Sequence, residues 1–433
     1  MPGIVRESKA IMHSLPYGES SVALPLRAEL IAHRPTESVP NELAAVRTAL
    51  RNPIGTPTLA NIVRPGESVA LIVNDITRLT RSELMLPPLI EELNAAGIPD
   101  DHITIVFALG IHRPQTPEER RRIIGEDLYR RLRSVDHDAY DESNLIHIGD
   151  TSFGNRVEIN RAVWESDRII LTGEIIYHLI AGYSGGRKSL VPGVAGARTT
   201  TFNHNMIFDP RCRSGVLEGN PAHEDLLEAA RLADPDFILN LVLSPEGHLV
   251  RAVAGHMEHA HREGCRAVDQ MLRADLDQPY DLIVASAGGY PLDIDLRQAH
   301  KGLENAVQAL RPGGTILFYA ECPSGSGHPA IDEYAWQYNN DAEMEQALRV
   351  SFAVGGHKAW WLARLGRLYN IHLVSTLPDA FVRRFGFHPV PPQHHQQTLD
   401  TLTAQAGPNA RIGVLPYSGF TLPFITNQEA IPA

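Results

Sequence analysis

The sequence predicts an α/β protein built from two domains. Three observations lead there. Short apolar runs alternate with helix-length segments from residue 68 onward. A second strand–helix–strand series begins at Pro279. At 433 residues the chain is also longer than a single hydrophobic core usually organises. The expected division is a first domain over 1–274, rejoined by 405–433, and a second over 279–400.

Residues 1–60 hold scattered prolines and an amphipathic stretch near 41–51, and no recognisable chemistry. Ser68 to Val73 reads as a strand and 81–96 as a helix that Pro87-Pro88 kinks or splits. His102 to Ala108 reads as a second strand, and 117–133 as a helix that is basic on one face. Leu145 to Ile148 and Arg168 to Thr172 are further strands, the latter ending at Thr172-Gly173. Next come a turn and a helix in DPRCRSGVLEGNPAHEDLLEAARLA, a strand over Phe237 to Leu243, and a hairpin turn at Pro245-Glu246-Gly247. The helix near 256–273 carries His256, His259 and His261 without metal-ligand spacing, so it reads as a solvated face. In the second unit, Asp281 to Ala285, Thr315 to Tyr319 and Ile371 to Ser375 read as strands. A helix over 295–310 lies between the first two, closed by Arg311-Pro312-Gly313-Gly314. Arg411 to Leu415 is a late strand expected to return to the first domain.

The polar residues fall where strands end. Asp75 and Arg78 follow the first apolar run in NDITR, His112 follows the second in ALGIHR, and His178 comes soon after the run at 169. Ligands of open α/β sheets bind beyond the carboxyl ends of the strands, so three strands aim polar groups at one edge. After His178 comes a glycine-rich loop, Tyr183-Ser184-Gly185-Gly186, then Arg187-Lys188, and later His204. Glycines let backbone N–H groups approach an anion, and the two cations add charge, so the loop is a candidate phosphate cradle. It lacks the P-loop spacing. Lysine is rare here: Lys9, Lys188, Lys301 and Lys358 are the only four, and all other basic side chains among the 39 Lys and Arg residues are Arg. Unlike Arg, Lys can lose its proton and act as an amine nucleophile. A fixed cation beside a phosphate is the other reading of Lys188. In the second unit, Gln298 and Lys301 stand three apart on a helix and can reach one ligand together.

Bulk properties narrow the partners. A net charge of −12 argues against nucleic acid or an anionic membrane as the main partner. Cys212, Cys265 and Cys322 are too few and too widely spaced for a disulfide framework or a thiol zinc site, which suits a reducing compartment. No apolar leader or membrane-length apolar segment is present, so a cytoplasmic protein is expected.

Arg78 and Lys301 would clamp a carboxylate, Arg in bidentate fashion and Lys as a point charge. Two histidines are suited to taking a proton from a hydroxyl and returning it. Together they suggest chemistry at the α-carbon of a 2-hydroxy acid. Imidazole cannot readily remove that C–H as a proton, whereas loss of hydride together with the O–H proton needs an electron sink. No G-x-G-x-x-G follows a strand, so a nicotinamide bound in the Rossmann manner is not indicated, and the sink must be another cofactor.

These motifs resemble the nickel-dependent lactate racemase family over nearly the whole chain. NDITR, ALGIHR, YH, GYSGGRKSLVPGVAG, FNHN and GGYPLDIDLRQAHK carry the resemblance. It implies two α/β domains with the active site in the cleft between them. It also implies a nickel-pincer nucleotide, nickel pyridinium-3-thioamide-5-thiocarboxylic acid mononucleotide, supplied by cofactor biosynthesis proteins. On this resemblance Lys188 tethers the cofactor as a thioamide and His204 is the fourth nickel ligand. His112 and His178 are the acid/base pair, one for each substrate face. Arg78, Gln298 and Lys301 hold the substrate, and Asp75 lies beside the cofactor or Arg78. Ser184, Gly185, Gly186 and Arg187 belong to the cofactor loop. The implied reaction inverts C2 by hydride transfer to the pincer and back, through a flat 2-keto acid. Two features depart from the family: Leu109 and Ile111 replace small residues before His112, and Arg297 stands where a tyrosine is expected. The extra cation at 297 points to a substrate more polar than lactate, a sugar acid or a dicarboxylic hydroxy acid. Trp360 and Trp361 read as core, with pocket shaping as the alternative. Two other functions remain open on the residues: a cofactor carrier or storage protein, and a pyridoxal-phosphate racemase using Lys188 as a Schiff base.

Overall fold

The computed structural model describes residues 11–78, 80–353 and 355–426. The chain forms two compact units, one of residues 36–271 and one combining 1–35 with 272–433.

The larger unit holds a six-stranded sheet. In spatial order the strands are Leu249–Gly255, Phe237–Leu243, Arg168–Glu174, Val69–Asn74, Ile103–Ala108 and Arg133–Asp136. All neighbours are parallel except the first pair. Val69–Val73 and Phe237–Leu243 are buried at every position, as expected of strands covered on both faces. Leu71, Val73, Phe107 and Leu239 form one core with Met85, Leu89 and Leu93 of the helix Ser82–Ala95. That helix runs unbroken through Pro87 and Pro88, contrary to the expected split. The packing of its apolar face outweighs the two backbone donors that proline lacks. The helix expected over 117–133 is instead two, Pro117–Ile124 and Glu126–Arg131, because Gly125 (φ +82°) ends one and starts the other.

The second unit holds another six-stranded sheet, wholly parallel: His388–Val390, Asn370–Val374, Leu310–Tyr319, Tyr280–Ser286, Ile412–Leu415 and Glu29–Leu30. The expectation that 405–433 returns to the first domain is corrected here. Ile412–Leu415 pairs with Leu282–Ala285, and Val414 packs with Leu282 and Val284. Leu422–Ile425 pairs with Arg273–Leu276. The N-terminal hairpin of Ile11–Tyr17 and Ser20–Leu26 also belongs to this unit, giving Leu15 and Leu24 to its core. Local sequence carries no record of which distant strand an apolar run will pair with.

Two buried polar assemblies fix the segments that carry the site. Asp225 is fully buried and accepts from Thr151 Oγ1 (2.7 Å), Asn155 Nδ2 (2.9 Å) and Asn203 Nδ2 (2.8 Å). It thereby holds the helix Ala197–His204 against the helix Pro221–Ala233 and the Thr151–Asn155 turn. Arg187 is 1% exposed and donates to the Ala181 carbonyl oxygen (2.8 Å). Its Nη1 lies 2.9 Å from His261 Nε2, which is 2.8 Å from the Ser184 carbonyl oxygen. The helix Met257–Leu272 thus holds the glycine loop through His261, whose solvated-face reading is corrected: the ring is 2% exposed. His256 and His259 pack ring to ring with centroids 4.6 Å apart.

Asp225→Ala removes the carboxylate acceptor that three buried donors share. The expected cost is roughly 2–5 kcal/mol in urea denaturation, and a loss below about 1 kcal/mol would contradict this clamping role. A second expectation concerns acid. Burial, helped by the Arg187 charge, pushes His261 down to about 3, and burial pushes His223 down to about 2. The unfolded chain binds these protons near pH 6.5, so stability is fully present above that pH and is lost as pH falls toward 3. The cost is about 1.4 kcal/mol per pH unit and histidine. His261→Gln should therefore lose less melting temperature than the wild type between pH 7 and 4.5, and equal losses would remove His261 from the account.

Candidate functional site

The central strands of the larger unit diverge to either side of Val69–Asn74, with Ile103–Ala108 on one flank and Arg168–Glu174 on the other. Beyond the carboxyl ends of these three strands lies a cavity of about 390 Å³, the place such a switch in strand order provides. Asp75, Arg78, His112, His178, Lys188 and His204 all line it. Six residues spread over 130 positions of sequence are brought together by the parallel sheet edge and the loop that follows its third strand.

His112 leaves the end of Ile103–Ala108 through a turn in which its N–H donates to the Leu109 carbonyl oxygen. Its Nδ1 lies 2.7 Å from Asp75 Oδ2. Asp75 is 3% exposed, and its other oxygen accepts from Thr77 Oγ1 at 2.7 Å. The carboxylate holds the hydrogen on Nδ1, so Nε2 of the neutral ring carries the lone pair. His178 has the opposite arrangement: its Nδ1 accepts from the backbone N–H groups of Ile180 and Ala181, both at 3.2 Å. Nε2 of that neutral ring therefore bears the hydrogen. Burial, with the charges of Lys188 and Arg78, holds His178 well below the usual imidazole range. Gly182 pairs with His178 across a two-residue ladder. Its φ of +75°, and the Val216 carbonyl oxygen that a Cβ would strike, make glycine the residue that permits this close turn.

His204 ends the helix Ala197–His204, and its Nδ1 lies 2.8 Å from the Thr200 carbonyl oxygen. Nδ1 is thus the donor and Nε2 the nitrogen with the lone pair, the usual arrangement of a ligating imidazole. Burial and the Lys188 charge push its pKa down to about 4, so the ring is neutral at physiological pH. Burial, together with Arg78 and Arg187, likewise holds the Lys188 amine well below its ordinary value. Among the described residues no hydrogen bond or ion pair engages that amine.

The loop residues divide. Ser184 and Gly185 line the cavity, and Ser184 Oγ donates to the Glu174 carbonyl oxygen at 2.8 Å. Gly186 and Arg187 do not line it. The Gly186 N–H is spent on Asn240 Oδ1 (2.8 Å), and the Arg187 guanidinium turns inward to Ala181 and His261. Their expected contact with a cofactor is corrected to a supporting role, because the buried guanidinium is needed to satisfy the loop's own carbonyl groups. Leu109 is buried and Ile111 partly buried on the cavity wall. Glu174 also lines it and was missed in the sequence: burial raises its pKa to about 7 against the opposing charge of Arg78. Its place at the end of an apolar strand, as with Asp75, was the available signal.

Arg297, Gln298 and Lys301 lie on the helix Leu296–Val307 of the other unit. Lys301 Nζ donates to Gln298 Oε1 at 2.8 Å, so the two residues do share a face. Trp360 and Trp361 are 1% and 9% exposed on the helix Gly356–Leu368, with rings edge to face.

Comparison with known proteins shows the family. Residues 17–215 match the lactate racemase N-terminal domain and residues 276–419 the lactate racemase C-terminal domain. The lactate racemase of Thermoanaerobacterium thermosaccharolyticum is 36% identical over 378 residues, covering 84% of this chain and 88% of that protein. That of Lactiplantibacillus plantarum is 35% identical over 384 residues, covering 87% and 89%. The structure of the T. thermosaccharolyticum lactate racemase apoprotein superposes with a TM-score of 0.86 at 31% identity, covering 96% of this chain and 100% of that one. A Thermotoga maritima protein shares the fold, with a TM-score of 0.63 at 18% identity and coverage of 91% and 100%. The chain belongs to the lactate racemase family and is an enzyme of the isomerase class.

Proposed function

We propose that this enzyme inverts C2 of a 2-hydroxy acid more polar than lactate, with a nickel-pincer nucleotide held by Lys188 and His204. The observation that supports it is one cavity lined by two imidazoles of opposite tautomer, the Arg78 guanidinium and the Lys188 amine.

The residues present fit such a cofactor. Among the described residues no group of three or more His, Cys, Asp or Glu side chains could hold a metal ion. Nickel bound here would therefore depend on donors brought by an organic group, with His204 Nε2 completing the set. Lys188 offers an amine with a depressed pKa, the state needed for attachment to a thioacid. Ser184 and Gly185 lie along the same wall. When bound, the group supplies a reversible two-electron acceptor at C2, which no side chain in the cavity provides. Proteins that assemble the cofactor would be the partners. Three buried free cysteines, Cys212, Cys265 and Cys322, agree with a cytoplasmic setting.

The chain's own groups do the remaining work. Arg78 has no hydrogen-bonded side-chain partner among the described residues and faces a carboxyl group that burial tends to neutralise, so its guanidinium is available to a substrate carboxylate. Gln298, Lys301 and Arg297 are assigned to substrate as well. His112 Nε2 accepts the substrate hydroxyl proton, and Asp75 stabilises the imidazolium that results. His178 presents Nε2–H to oxygen, so one imidazole is set to accept where the other donates.

Cofactor-loaded enzyme incubated with chiral 2-hydroxy acids in heavy water should invert them without deuterium at C2. Solvent label at C2 would reject hydride transfer, and lactate as the best substrate would reject the more polar assignment. His112→Ala and His178→Ala should each lower kcat by about 10²- to 10⁴-fold while nickel content is retained. Lys188→Ala and His204→Ala should instead lower bound nickel in elemental analysis; full nickel content in both would remove them as its anchors.

A further inference from the structure

The proposed reaction gives a task to every charged or titratable residue lining the cavity except Glu174. Glu174 ends the strand Arg168–Glu174, opposite Leu241 of the neighbouring strand. Its carbonyl oxygen accepts from Ser184 Oγ at 2.8 Å, and a Cβ on Gly185 would lie 3.0 Å from that oxygen, so the glycine loop closes tightly on the strand end. The backbone is therefore held. The carboxyl group is open to the cavity: among the described residues no hydrogen bond or ion pair engages it. Burial raises it to about 7 against the Arg78 charge, which leaves it close to half protonated at neutral pH.

Inversion needs two groups that exchange a proton with the substrate oxygen, one as hydride leaves a face of C2 and one as it returns to the other. His112 Nε2 supplies the first. His178 is poorly built for the second. Its Nδ1 faces the Ile180 and Ala181 N–H groups, both at 3.2 Å, so a second proton on that nitrogen would be aimed at two donors. Burial and the neighbouring cations oppose an imidazolium as well. The neutral ring can donate a hydrogen bond from Nε2 but has no spare proton to give. Glu174 has one. Its strand and the strand leading to His112 flank Val69–Asn74 on opposite sides, with Ile72 paired to Leu171 in the first and to Val106 in the second. At about 4.8 Å per strand step the two strand ends stand roughly 10 Å apart, a span that admits a small acid between them.

We infer that Glu174 is the second acid–base residue of the reaction, exchanging a proton with the substrate oxygen on the face opposite His112 while His178 holds that oxygen through Nε2–H. The inference rests on the proposed inversion at C2. In one direction the substrate O–H bond breaks and its proton passes to His112 Nε2; the Glu174 O–H bond then breaks to rebuild the hydroxyl. The hydride that C2 gives up to the bound acceptor is the one it takes back, so no further reactant is needed. This passage leaves a His112 imidazolium and a Glu174 carboxylate. Each is answered by a charge already at the cavity: Asp75, 2.7 Å from His112, and Arg78, which favours the Glu174 anion. The opposite inversion restores both protons. Lys188 of the glycine loop and His204 of the helix Ala197–His204 line the same cavity and also titrate, so protonation has to be read on the Glu174 carboxyl itself.

The test compares wild type, Glu174→Gln, Glu174→Asp and His112→Ala as cofactor-loaded enzymes, on both C2 forms of lactate, malate and gluconate. Glu174→Gln should lower kcat by about 10²-fold or more, with KM within about threefold and nickel content unchanged, and Glu174→Asp should recover part of the loss. In a quenched single turnover, Glu174→Gln should slow 2-keto acid formation from one C2 form by about 10²-fold and leave the other within about threefold; His112→Ala should show the reverse. In cofactor-free protein, difference infrared spectroscopy should show a carboxyl C=O band with its midpoint at about pH 7 that Glu174→Gln lacks. Equal slowing of both C2 forms, or a wild-type spectrum without that band, would overturn the inference. If wild type inverts none of these acids, the proposed reaction fails and takes this inference with it. If wild type inverts them and Glu174→Gln keeps pace, the reaction stands and only the role of Glu174 falls.

Discussion

Positive charge gathered around one cavity is the constraint on which the site depends. Arg78 and Lys188 line the same space as Glu174, whose carboxyl group burial raises to about 7 against the Arg78 charge. Burial and these charges lower the affinity of Lys188, His178 and His204 for protons. The same field draws in an anionic ligand. Binding and nucleophilicity thus have one physical origin.

The scaffold fixes orientation as well as charge. His112 and His204 each direct Nδ1 to an acceptor, whereas His178 directs Nδ1 to two backbone donors. Tautomers are therefore set by each ring's hydrogen-bond partner, and the chemistry of the ring follows from it. The supports are themselves buried polar assemblies: Asp225 behind the helix of His204, and Arg187 with His261 behind the glycine loop. Each is far more costly to leave unsatisfied than it is stabilising when complete.

The strands and most helices were legible because apolar period and turn residues are local signals. Asp75, Arg78, His112 and His178 were legible for a related reason: polar residues directly after apolar runs mark the carboxyl edge of a parallel sheet. Lys188 stood out by rarity, and the resemblance supplied the expected roles. Tertiary structure decided the rest. The late strand at Ile412–Leu415 joined the sheet of the second unit, and Arg187 and His261 turned inward rather than toward ligand or solvent. Glu174 emerged as a cavity residue. Composition and spacing record what a residue can do. Which distant strand it pairs with, which way a long side chain turns, and how much water surrounds its charge are set by contacts across hundreds of positions, and those exist only in the folded chain.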